Sequence, residues 1–209
     1  MDVVKGEEIN DSTQHYEVLM QLGDCHATVG YYELARQYYN KAAAIGPDEA
    51  GPYVGLGVIS LHENHLEDAD IAFRVAYRLN NSCSKAFAGM AMVHQQRGDY
   101  RTAFDLYLKC MELDPNNLTA LLGLFQSSCQ MGTFAKVIHY LELYLGMHPA
   151  DVSVMFSLSA LYMKEGRLDD SKKLLLDVIA LDSSNHDAVN LLEEIEHKIA
   201  HDMQVGVNV

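Results

Sequence analysis

Apolar residues recur along the chain with the 3.6-residue period of amphipathic helices, and the whole pattern repeats every 34 residues. From Tyr16, one stripe carries Leu19, Leu22 and Gly23; a second carries Tyr32, Ala35, Tyr39 and Ala42 and stops at Pro47. One period on stand Tyr53, Leu56, Gly57, Leu66, Ala69, Phe73 and Ala76, and then Phe87, Met90, Ala91, Tyr100, Ala103, Tyr107, Cys110 and Pro115. The fourth set keeps Leu124, Phe134 and Pro149, and the fifth keeps Leu158, Tyr162 and Leu168. Between the two stripes of each set lies a single turn column, Gly30, Asn64, Gly98, Gly132 and Gly166. Glycine and asparagine are the residues that most readily take a positive φ at a helix C-terminus. The pattern predicts an all-α array of five helix pairs, at 16–49, 50–83, 84–117, 118–151 and 152–185.

A sixth amphipathic stretch, 186–201, presents Val189, Leu192, Ile195 and Ile199 on one side and Glu193, Glu194, Glu196 and Lys198 on the other. A polar-backed terminal helix is what such an array needs to cover its last apolar face. The count is therefore about eleven helices. Residues 1–15 are expected as a partly disordered lead-in, and 202–209 as a disordered tail. Small residues pair across the first three sets, Gly23 with Ala35, Gly57 with Ala69 and Ala91 with Ala103, so that two helices can approach closely. The fourth set has Phe125 and Val137 there, which predicts wider helix spacing and a change of pitch. Asp48, Ser82, Asn116, Asp151 and Ser184 are placed to cap the following helices.

This register of a large residue, Leu-Gly, an aromatic, Gly, an aromatic, Ala, an aromatic, Ala and Pro resembles the tetratricopeptide repeat family over about residues 16–201. The resemblance implies a right-handed α-solenoid of antiparallel helix pairs, five tandem repeats and a C-terminal capping helix, with a groove lined by the first helix of each repeat. It also implies a role in protein binding as a scaffold.

Composition narrows the partners. The 209-residue chain carries a formal charge of −14, which disfavours nucleic acid and anionic membrane, so a neutral or basic protein or peptide segment is expected. The acidity sits at the ends: residues 1–49 hold 3 Lys/Arg against 9 Asp/Glu, and residues 151–209 hold 5 against 11. Cys25, Cys83, Cys110 and Cys129 share no spacing and read as reduced thiols. With no apolar run of membrane length and no signal-like start, the reading is a soluble cytoplasmic protein without membrane insertion.

The groove positions implied by the resemblance include Val54, Gly55, Val58, Lys85, Gly89, Met92, Gln96, Leu122, Gly123, Gln126, Phe156 and Met163, which form the candidate peptide-binding site. Gly55, Gly89 and Gly123 share one register inside helices, at a cost of roughly 3 kcal/mol relative to alanine for the three. Two readings follow: a smooth floor that lets a partner come close, or relief of crowding against the neighbouring repeat. On the first, Gly89→Arg should abolish partner capture and leave melting intact. Of the positions with which co-chaperone relatives grip a C-terminal carboxylate, Lys85 alone matches, which disfavours that mode. His62 with His65 and His197 with His201 lack a third ligand, so no metal, cofactor or catalytic residue is expected and the chain is read as a non-enzyme. The leading function is an adaptor that holds an apolar or helical peptide segment. A secretion-type chaperone for an exported client and a self-assembling scaffold, a homo-oligomer, are the alternatives.

Overall fold

The computed structural model describes residues 2–206, and side chains within 13–200. It is all-helical over these residues, with eleven helices: α1 (Asp2–Thr28), α2 (Tyr32–Ile45), α3 (Ala50–His62), α4 (Leu66–Leu79), α5 (Ser84–Gln96), α6 (Tyr100–Leu113), α7 (Leu118–Met131), α8 (Ala135–Met147), α9 (Val152–Lys164), α10 (Leu168–Leu181) and α11 (His186–Gly206). The turn column adopts the conformation its residue types favour. Gly30, Asn64, Gly98, Gly132 and Gly166 have φ of 83°, 61°, 79°, 68° and 74°. At the low end of that range stands Asn64, the one of the five that is not glycine. The lead-in expected before residue 16 is helical from Asp2, and α11 continues through residues expected as tail as far as Gly206; 207–209 and residue 1 lie outside the described residues.

Four of the five caps sit one residue beyond the expected positions, at Glu49, Cys83, Asn117 and Asn185. Asn117 Oδ1 accepts from Ala120 N at 3.0 Å, and Asn185 Oδ1 accepts from Ala188 N at 3.0 Å. Asp151 Oδ1 accepts from Val154 N at 3.1 Å, as expected of it. Ser82, Asn116 and Ser184 are donors instead: their amides bond back to the side chains of Asn80, Asp114 and Asp182, two residues earlier. An Asx turn therefore closes the preceding helix, and the next residue takes up the cap.

The chain divides into two compact units, residues 1–127 and 128–209, with the division inside α7. In the first, α1 packs on α2, α3 on α4 and α5 on α6, and the pairs stack through α2 on α3 and α4 on α5. Alanines are prominent in the packed faces: Ala35, Ala42, Ala69, Ala76, Ala86, Ala91 and Ala103 are fully buried. In the second unit α9 packs on α8 and α10, and α11 closes the array over Met155, Leu175 and Val178, contributing Ala188 and Ile195 to that core. Phe125 and Val137, the large pair of the fourth repeat, fall on either side of the division.

Candidate functional site

The ring column formed by Tyr39, Phe73 and Tyr107 on the second helices is almost completely buried. Tyr39 and Phe73 each pass between two first helices. Tyr39 lies against Gly23 of its own repeat, where a β-carbon would fall 2.5 Å from its Cε1, and against Gly55 of the next. Phe73 stands likewise against Gly57 and Gly89, and Tyr107 against Gly123. A β-carbon at Gly55, Gly89 or Gly123 would overlap the ring itself, and all three glycines are buried. The second glycine column therefore makes room for the preceding repeat's aromatic, which is the crowding reading. Gly89→Arg would drive a side chain into the position of Phe73, so it could not leave folding untouched.

Two cavities open on the face where these first helices lie side by side. One, of about 400 Å³, takes in Met20, Asp24, Tyr39, Val54, Gly55, Val58, His62 and Lys85. The other, of about 420 Å³, takes in Met92, Gln95, Gln96, Tyr100, Tyr107, Thr119, Leu122, Gly123 and Gln126. Nine of the twelve expected site residues thus fall in these two spaces. Gly89 lines neither and lies under Phe73. Phe156 and Met163 belong to the second unit, where they pack against the core that α11 closes. Val58 and Leu122 keep 37% and 42% of their surface exposed, so each cavity offers an aliphatic contact at its mouth.

The ring hydroxyls set the polar character of each space. Tyr39 Oη donates to Asp24 Oδ1 at 2.7 Å, so the first cavity carries a carboxylate on one wall and the Lys85 ammonium on another. Tyr107 Oη donates to Gln95 Oε1 at 2.6 Å, and Gln95 Nε2 donates to Gln126 Oε1 at 2.7 Å. Burial, helped by Asp24, pushes the Tyr39 phenol upward; burial does the same for Tyr107. Both hydroxyls therefore keep their protons and act as donors. At the mouth of the first cavity His62 stacks on Tyr32 with ring centroids 5.5 Å apart. Cys110, fully buried where the two preceding repeats have alanine, has its thiol pushed up to about 12 by burial. A thiol so placed is no nucleophile. Among the described residues no three His, Cys, Asp or Glu side chains converge as a metal site would require. Nor is any described helix long and apolar enough to cross a membrane.

Tyr39 and Tyr107 were not among the expected site residues because the groove was assigned to first helices, and these rings reach it from second helices. The signal was present in the ring column: a tyrosine where the neighbouring repeat has Phe73 carries a hydroxyl that must find a partner once buried.

Residues 16–49 and 84–117 match the tetratricopeptide repeat family model. Over 152 residues, 73% of this chain and 23% of the other, the sequence is 24% identical to anaphase-promoting complex subunit 3 of Schizosaccharomyces pombe. The chain spans between 12% and 30% of the length of the curated relatives it matches. Among solved structures, Pseudomonas aeruginosa pilF superposes with a TM-score of 0.75 at 20% identity, covering 95% of this chain and 90% of that one. YrrB, described as a TPR protein with an unusual peptide-binding site, superposes with a TM-score of 0.63 at 16% identity, covering 92% and 98%. At these identities the likeness is one of fold.

Proposed function

We propose that this chain, a tetratricopeptide repeat protein, holds an apolar peptide segment of a partner protein against the face formed by α1, α3, α5 and α7. One observation carries the reading: two neighbouring cavities of about 400 and 420 Å³ on that face, each with an exposed aliphatic at its mouth and a few fixed polar groups. Largely apolar clefts with a small number of oriented polar atoms are what peptide recognition uses. The formal charge of −14 favours a segment that is neutral or basic. The peptide-binding site ascribed to YrrB is consistent with such a use of this fold.

The test is selection of random twelve-residue peptides against the full chain, followed by affinity measurements on Val58→Arg and Leu122→Arg. Both side chains are partly exposed, so the substitutions leave the core alone. The expected result is a loss of about tenfold or more in affinity from at least one of them, the equivalent of about 1.4 kcal/mol. Selected peptides that bind both variants as tightly as the wild type would overturn the assignment of the site.

A further inference from the structure

The relay in the second cavity has a direction. The Tyr107 hydroxyl donates to Gln95 Oε1, which turns the Gln95 amide so that its Nε2 faces Gln126. Gln95 Nε2 then donates to Gln126 Oε1, which turns the Gln126 amide in its turn. Both glutamine carbonyl oxygens accept a bond within the chain, and the relay ends on Gln126 Nε2, a two-hydrogen donor on an exposed side chain at the cavity wall. Side chains bonded in series hold one another in place, so this donor is oriented before any partner arrives.

We infer that Gln126 Nε2 receives a main-chain carbonyl oxygen of an extended partner segment, an assignment that rests on the peptide-binding reading above and specifies one contact within it. An oriented donor calls for an acceptor. The residues lining this cavity include no charged side chain, so nothing there compensates the full charge of a carboxylate. A helical segment satisfies its carbonyls internally except in its last turn, whereas an extended segment presents them along its length. Met92 and Leu122 flank the donor and supply apolar contact for the side chains on either side of such a carbonyl.

Nitrogen-15 labelling of the full chain, with the side-chain amide resonances of Gln95 and Gln126 followed by NMR, tests this directly. N-acetyl-leucine N-methylamide is the probe, a blocked residue with main-chain carbonyls and an apolar side chain, and sodium acetate is titrated in parallel. The diamide should shift both resonances saturably. Gln126→Glu, which exchanges the donor for an acceptor of equal length, should abolish the response at Gln95. Tyr107→Phe should raise the Kd about fivefold, the worth of one hydrogen bond. Phenylalanine fits this position, since Phe73 occupies the same register one repeat earlier.

Three results would overturn the inference: no saturable shift with the diamide, an equal response to acetate, or an undiminished response at Gln95 in Gln126→Glu. The two readings fail separately. Peptides that depend on Leu122 but bind Gln126→Glu normally would remove this contact and leave the site. Peptides indifferent to Val58→Arg and Leu122→Arg would remove the site, whatever the resonances do.

Discussion

At the residue scale, the packing of the first unit turns on a ring and a glycine sixteen positions apart: Tyr39 with Gly55, Phe73 with Gly89 and Tyr107 with Gly123. Where the ring column changes to Leu141, the glycine column changes to Ser157, and where it continues as Leu175 its counterpart is Leu191. An aromatic ring on one side is matched by glycine on the other, as close packing requires, and without the ring the glycine is not kept. Gly89→Ala should therefore destabilise the protein. Overpacking against a fully buried ring costs about 1–3 kcal/mol, and helix propensity returns up to about 1 kcal/mol. Urea denaturation should show the loss, and Phe73→Leu in the Gly89→Ala background should recover part of it. A double variant no more stable than the sum of the two singles predicts would mean that ring and glycine are not coupled. The column itself was legible in the sequence. Which of its two readings holds was not, because it depends on where a side chain of the preceding repeat points, and periodicity carries no such information.

At the element scale, the helix limits were legible wherever a single residue type decides them. A left-handed turn needs glycine or asparagine, so five turns could be placed to the residue. Caps were placed less well. Ser82, Asn116 and Ser184 have the right side chains, but the Asx turns of Asn80, Asp114 and Asp182 claim their amides and pass the cap to the next position. Asp99, at the start of α6, gives a pH-dependent test. Its hydrogen bonds from Thr102 lower its pKa below the ordinary 3.8, with His94 contributing less. A carboxylate depressed in the folded state adds stability that is present above the unfolded value and is lost as pH falls through the folded one. Asp99→Ala should thus lower Tm at pH 7, and the gap from the wild type should narrow as pH drops below 3.8. An equal gap at pH 7 and pH 2 would show that charge on the cap is irrelevant.

At the scale of the whole molecule, repeats that touch only their neighbours should lose stability locally. The resemblance read from one 34-residue register sufficed for the all-α architecture, because a repeating helix pair leaves few other ways to bury its stripes. It did not place the division at residues 127 and 128, which periodicity alone does not mark. Nor did it show that Phe156 and Met163, expected in the groove, are partly buried against the core closed by α11. Ile195 is the larger of the two fully buried residues that α11 contributes to that core, and Ile195→Ala should cost about 2–5 kcal/mol in the elements that share it. Hydrogen exchange should then show faster opening throughout α9, α10 and α11, with the amides of α3 to α6 exchanging as in the wild type. Those four helices hold Phe73, Tyr107 and most of both cavities, so peptide binding should persist in the variant. A uniform loss of protection from α3 through α11 would mean that the molecule opens as one body, and that nearest-neighbour packing does not describe its stability.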